Sequence, residues 1–294
     1  MAFKDYLKQR GHALSTIHNT QRSVLEFLAW LDQQNMEIEQ VRHSDLLAYI
    51  RYHQKKGLKQ QTIERYLNAL RQFYTFQVHI GVVKTNPVTG IKIQGVQRRK
   101  LYYTFSVQEL HAIYNAYPYI HTEGEQLTQR RNKVILGLYV YQGIQTAELV
   151  KMEVGDIDLR AGQITIPATK RSNSRTLQLQ AHQVLDMYDY VLQIRPKILA
   201  ISTQQTQQLF VSPKGGTDQT NYVYTLFKEL KKHNKSIQNA QQLRTSVIVK
   251  WLKQYNLREV QYRAGHKYVS STESYRVNET EGLAEEITRF HPLG

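Results

Sequence analysis

The chain has no cysteine among its 294 residues. Disulfides and thiolate metal centres are therefore excluded, and a reducing compartment suits such a composition. Also missing is any apolar run approaching the roughly 20 residues that a membrane-spanning helix needs. The opening Met-Ala-Phe-Lys-Asp carries no signal-peptide core, so a cytoplasmic protein without a membrane partner is expected. No glycine loop of the kind that cradles nucleotide phosphates is present. No carboxylate pair or histidine cluster has metal-ligand spacing, so neither a metal nor another cofactor is implied. Acidic residues are scarce: 24 Asp and Glu stand against 39 Lys and Arg, a formal net charge of +15.

What is present is a folded protein. Hydrophobic residues make up 41% of the chain, and its length accommodates two domains of ordinary size. The positive charge is spread over both halves, with 16 Lys and Arg against 7 Asp and Glu in residues 1–100 alone. Basic surface on folded segments, rather than on a tail, implies a polyanionic partner, and nucleic acid fits that description.

Along the chain, Ile17, Val24, Phe27, Leu28 and Leu31 recur at helical spacing after Ser15, which predicts a helix capped by that serine. A second helix is expected from Ser44-Asp45 to Gly57. A third runs from Gln60-Gln-Thr62 to the breakers Gly81 and Asn86-Pro87. The basic stretch that follows has no periodic apolar face. It reads as a linker over 91–103, either a solvated loop or a phosphate contact. Past it, Ser106 and Glu109 form a capping box ahead of a Leu110/Ile113/Tyr114 face, and an apolar helix is expected over Asn132–Tyr141. Gln163-Ile-Thr-Ile166 and Thr176-Leu-Gln-Leu179 alternate as two strands around a turn spanning Lys170 to Arg175. Further helices are expected at Gln183–Ile194 and Asn221–Lys232.

Chemistry concentrates near the C-terminus. Arg244 is expected to open a buried helix carrying Val247, Ile248, Trp251 and Leu252. A cation there opposes the helix dipole, so phosphate binding accounts for it better than solvation does. Gly265 closes a short helix that starts after Asn256 and leaves His266 just beyond its end. Tyr275 lies in a segment of small polar residues, where a phenol is poorly buried. A guanidinium can hold two phosphate oxygens, an imidazole can donate a hydrogen bond or proton, and a phenol can attack. Together they form a phosphoryl-transfer set.

Arg244, Ala264-Gly265-His266 and Tyr275 resemble the C-terminal signature of the tyrosine recombinases, or phage integrases. Leu14-Ser-Thr-Ile and Thr85-Asn-Pro-Val88 resemble the opening and close of that family's core-binding domain, so the resemblance covers nearly the whole chain. It implies a mainly α fold: a helical, SAM-like DNA-binding domain (1–90), a basic linker (91–103), and a mostly helical catalytic domain with a small antiparallel sheet (104–294). It implies a site-specific recombinase in which Tyr275 attacks a DNA phosphodiester and becomes joined to the 3′ end. Arg244 and His266 would then hold the scissile phosphate, and Lys170 would protonate the leaving 5′-oxygen. The implied partners are double-stranded DNA and further copies of the chain, a dimer on one site and a homotetramer in the synaptic complex. The C-terminal stripe Leu283, Ile287 and Phe290 either folds back on its own domain or, as the resemblance implies, docks on a neighbouring copy in that assembly. The implied location is the nucleoid.

Two positions depart from the family pattern. Gly143-Ile-Gln145-Thr-Ala-Glu148-Leu149 puts Gln145 where the family has its first arginine. Gln241-Gln-Leu-Arg244 puts Gln241 in the place of a histidine. Glutamine can donate to a phosphate oxygen but carries no charge and moves no proton. Arg130, Arg131, Arg171 and Arg175 are the arginines that could stand in. Besides the recombinase, two readings follow: a homologue that binds DNA as an accessory without catalysis, and a nicking enzyme of the type IB topoisomerase kind.

Overall fold

A computed structural model describes residues 2–96, 102–117, 126–202, 205–212 and 220–276. The chain divides into two compact units, Met1–Lys100 and Leu101–Gly294.

The first unit is built from four helices: α1 (Phe3–Gln9), α2 (Leu14–Gln33), α3 (His43–Lys55) and α4 (Gln60–His79). Its core joins Phe27 and Leu31, on the α2 face that the sequence spacing predicts, to Leu46 and Tyr49 of α3 and to Leu67 and Tyr74 of α4. Ser15 does not cap α2. The Ala13 carbonyl already accepts from the Ile17 N–H (2.9 Å), so the first turn is under way one residue earlier, with extended Ala13 at the cap position. The start of the basic connector belongs to this core: Ile91 is buried, Ile93 packs against it, and Arg71 donates to the Ile91 carbonyl (3.1 Å). Residues 97–101 lie outside the described residues.

The second unit carries α5 (Val107–Asn115), α6 (Gln126–Tyr141) and the single turn α7 (Thr146–Leu149). The Ser106–Glu109 box forms as read, each side chain accepting from the other residue's backbone N–H. Strands β1 (Ile157–Asp158), β2 (Gln163–Ile166) and β3 (Arg175–Gln178) make an antiparallel sheet in that order. The return strand starts one residue earlier than expected, with Arg175 paired to Ile166 rather than lying in the turn. Side chains alternate along a strand, so Arg175 shares the inward face with Leu177, and both are buried.

Helix α8 (Ala181–Asp189) continues through a wider turn at Tyr190–Ile194 into α9 (Arg195–Ser202), and α10 spans Thr220–His233. The helix α11 (Ala240–Gln254) is buried nearly all round, and Asn239 caps it by accepting from the Gln242 N–H (3.0 Å). Arg244 is therefore the fifth helical residue and does not open the helix. The argument from the helix dipole does not apply to it, and its depth has another cause, given below. Asn256 caps α12 (Leu257–Ala264), Gly265 ends it in the left-handed region (φ 67°), and α13 (Val269–Glu273) leads into Tyr275. The tail stripe Leu283, Ile287 and Phe290 lies outside the described residues.

Candidate active site

A buried group of charges lies where α7, β3, α11 and the turn after α12 meet. Arg244 is 1% exposed and Glu148 fully buried. The Arg244 Nη1 donates to the Gly143 carbonyl and Nη2 to the Ala264 carbonyl (2.7 Å). Those acceptors are buried main-chain oxygens, one ahead of α7 and one at the last residue of α12, and they explain why a guanidinium can sit so deep. Glu148 accepts both Nη atoms of Arg175 (2.8 and 3.0 Å) and the Gln145 backbone N–H (2.8 Å), and it lies 3.8 Å from Arg244 Nη1. Burial alone would raise the Glu148 carboxyl pKa. The hydrogen bonds and charge of Arg175, then the charge of Arg244 and the Gln145 N–H, outweigh it and leave the pKa below the ordinary value.

His266 is held at both ring nitrogens: Nε2 lies 3.3 Å from Arg244 Nη2 and Nδ1 2.9 Å from Thr272 Oγ1. Arginine has no acceptor, so Nε2 must accept and the proton sits on Nδ1, donated to Thr272. Burial, then the charges of Arg244 and Arg175, lower the His266 pKa to about 4 against the opposing charge of Glu148. The imidazole is therefore neutral near pH 7. The Tyr275 ring stacks on it (centroids 5.5 Å, 18° between planes), and Gln241 Nε2 donates to the Tyr275 hydroxyl at 3.2 Å. Arg244 meets this pair through His266, whose Nε2 accepts from its Nη2.

The sequence-predicted residues thus separate. Tyr275, Gln241, His266 and Arg244 converge. Gln145 stands at the rim, half-buried, tied in by its main chain to Glu148. Lys170 is exposed on the β2–β3 turn. That turn is held against the site: the Asn173 N–H donates to the Gly265 carbonyl (2.8 Å), and Ser172 bridges His266 across the backbone. Arg130 pairs with Asp189 at the surface, and Arg131 is buried against the Val211 carbonyl and the Tyr222 ring, so neither joins the group. Arg171 is exposed on the turn. Among the four arginines considered as stand-ins, Arg175 is the one in the buried group.

Sequence reading missed the part played by Glu148 and Thr272. Glu148 had a signal, since a carboxylate three places after a capping glutamine and next to the apolar Leu149 can be drawn inside only with a buried partner. Arg175 had one too: strand alternation places it on the inward face. Thr272 had none.

Chemically, the group offers a phenol with a neutral donor on its oxygen, beside a guanidinium that carries charge in a dry setting. This can support in-line attack on a phosphodiester, where negative charge builds on the phosphorus oxygens. Among the described residues, no group of three or more His, Cys, Asp or Glu could hold a metal ion, and no helix is long and apolar enough to cross a membrane.

The Phage integrase family profile matches residues 104–281, and the profile of the phage integrase N-terminal SAM-like domain matches residues 1–81. The tyrosine recombinase XerC of Staphylococcus aureus (strain NCTC 8325 / PS 47) is 24% identical over 295 residues, covering 99% of this chain and 95% of the relative. XerC of Listeria welshimeri serovar 6b is 25% identical over 295 residues, covering 99% and 96%. Among solved structures, XerH site-specific recombinase bound to a palindromic difH substrate, a post-cleavage complex, superposes with a TM-score of 0.74 at 18% identity. It covers 95% of this chain and 81% of the other. That likeness shows the fold.

Proposed function

Because the chain belongs to the phage integrase family, we propose that it is a site-specific DNA recombinase that cleaves and rejoins strands through a 3′-phosphotyrosine at Tyr275. The observation that carries this reading is the convergence on one phenol: Gln241 donates to its oxygen, His266 stacks on its ring, and Arg244 is hydrogen-bonded to His266. The Tyr275 hydroxyl loses its proton to water, its oxygen forms the bond to the scissile phosphorus, and the bond from phosphorus to the 5′-oxygen breaks. Arg244 stabilises the pentacoordinate phosphate by charge and hydrogen bonds. His266, neutral and with its Nδ1 proton given to Thr272, orients Arg244 and the phenol rather than supplying a proton. Lys170, exposed on a turn anchored to the site, protonates the leaving oxygen once DNA is bound. Rejoining runs the same steps backwards, so the energy of the broken bond is kept in the phosphotyrosine.

Double-stranded DNA is the substrate and the partner, met in the cytoplasm. The charge of +15 supplies the sequence-independent part of its binding. A dimer on one site and a tetramer across two complete the proposal. Gln145 and Gln241 lower the cation and proton-donor count, so strand cleavage is expected to be slower than a site with arginine and histidine there would give.

A nicked duplex that loses a short fragment after cleavage would trap the intermediate. On a denaturing gel it should give a protein–DNA band whose released strand carries a free 5′-hydroxyl, labelled by polynucleotide kinase. A protein that binds the duplex tightly and never forms this band would leave the accessory reading in its place.

A further inference from the structure

We infer that Arg175 is a positioning residue of this active site, acting through Glu148 to keep the positive charge of Arg244 available for the phosphate. The inference rests on the reading of Tyr275 as the nucleophile. Arg175 reaches the interior because it opens β3 on the inward register, opposite Ile166. Its side chain and that of Glu148 are both fully shielded from water. All three types of guanidinium nitrogen are committed: Nη1 and Nη2 to the two oxygens of Glu148, and Nε to the Arg263 carbonyl at 2.7 Å. The turn ending α12 is packed directly on this guanidinium. A Cβ at Gly265 would collide with Arg175 Nη1 and the Asn173 carbonyl, and the positive φ there already disfavours a side chain.

The charge count gives the pair its purpose. Glu148 faces two arginines, close to Arg175 and 3.8 Å from Arg244. With Arg175 in place, the carboxylate is matched by a two-pronged partner, and the group as a whole keeps one positive charge. Without Arg175, Glu148 has a single cation left to turn to. Arg244 would be drawn into that pair, and the group would become neutral. The glutamine at 145 makes this balance matter more, since no guanidinium enters from that position. Arg175 also ties together the segments that carry Glu148 and His266, so loss of its charge would be felt at both.

The test is a set of variants of the full-length protein, read by the initial rate of covalent adduct on the nicked duplex. Melting temperature and DNA affinity are measured alongside. Arg175→Gln leaves Glu148 facing Arg244 alone, and its adduct rate should fall by about 100-fold with affinity unchanged. Glu148→Gln combined with Arg175→Gln removes both charges and returns the single positive charge to Arg244. That double variant should recover at least tenfold over Arg175→Gln. A purely structural pair gives the opposite order, with the double variant no better than the single. If both fold and bind and the double variant shows no recovery, the inference is overturned. Should Arg175→Gln fail to fold, Arg175→Lys and the double variant decide. Each should fold, bind and react within tenfold of the native rate, and a folded, bound but inactive result in either overturns the inference. Tyr275→Phe is run in parallel. Adduct persisting there would remove the underlying reading, which is a different failure from loss of recovery in the double variant.

Discussion

Among the described residues one histidine is buried in each unit, and their surroundings treat them in opposite ways. His53 on α3 is fully buried, and its two nitrogens find no hydrogen-bond partner among the described residues. The rings of Tyr49, Tyr66 and Tyr52 surround it at 4.4, 4.9 and 5.2 Å. His266 is nearly as deep, yet both of its nitrogens are committed, one to Arg244 and one to Thr272. Burial depresses the pKa of each. Depth and a shifted pKa therefore do not distinguish a histidine that fills space from one built into a polar site. What separates them is whether the neighbours fix the tautomer and direction of the ring, which an orienting group requires and a packing group does not.

The widest contrast comes from the residue stacked on His266. Tyr275→Phe keeps the ring and its stacking and removes only the oxygen that forms the bond. Covalent adduct should drop by more than about a thousandfold, to background, while duplex affinity and its salt dependence stay within twofold. The gel and a band shift check this together, and residual adduct in the variant would break the assignment.

Next in size is the comparison itself. His266→Ala should lower adduct formation about 100-fold, because Arg244 loses the acceptor that orients it. His53→Leu should leave the rate unchanged. The neutral state of His266 adds a second expectation, that the native rate shows no imidazole-like limb between about pH 5.5 and 7, well above its pKa of about 4. If His53→Leu slowed cleavage as much as His266→Ala, the distinction drawn from hydrogen bonding would be wrong.

The same contrast shows what could be read from the sequence and what could not. Helix positions came from period and punctuation, and the Ser106–Glu109 box and the Asn256 and Gly265 boundaries formed as read. Errors arose where local signals compete. Ser15 looked like a cap, but the backbone had already begun its turn at Ala13. Arg244 looked like a helix start, but Asn239 capped the helix earlier. The site was legible as spacing near the C-terminus. Its supporting ion pair was harder to see, because Glu148 and Arg175 are 27 residues apart and meet only through the fold. A one-residue difference in where β3 begins moved Arg175 from an imagined surface turn to the interior. His53 gave no signal at all, since nothing in a sequence tells an unpartnered buried histidine from a working one.

Gln145→Arg would sharpen the comparison from the other side of the site, by about tenfold. The pentacoordinate phosphate formed by a phenolate and a diester carries about two negative charges, and the buried group supplies one net positive charge. A second cation at the half-buried rim position should raise the Tyr275-dependent rate by tenfold if about 1.4 kcal/mol of transition-state stabilisation returns. A slower variant that still binds DNA would mean that the new guanidinium competes with Arg175 for Glu148.

The smallest effect separates the two histidines without any DNA. A histidine whose folded pKa lies below its unfolded value of about 6.5 binds fewer protons when folded. Stability therefore rises with pH through the interval between the two pKa values, is fully present above about pH 6.5, and is lost as pH falls toward the folded pKa. His266, with a folded pKa of about 4, sets the lower edge of its window and limits its share to about 3 kcal/mol. His53 acts in the same direction in the other unit. Hydrogen exchange on the full chain, resolved by unit, should show both losing protection between pH 7 and 5. His53→Leu removes a titrating group and two unsatisfied nitrogens, so the first unit should become less sensitive to acid and about 1 kcal/mol more stable at pH 5. The second unit should respond as before. An unchanged acid response of the first unit in this variant would show that His53 is not the group that senses the proton, and that its pKa in the folded chain is closer to the ordinary value than its burial implies.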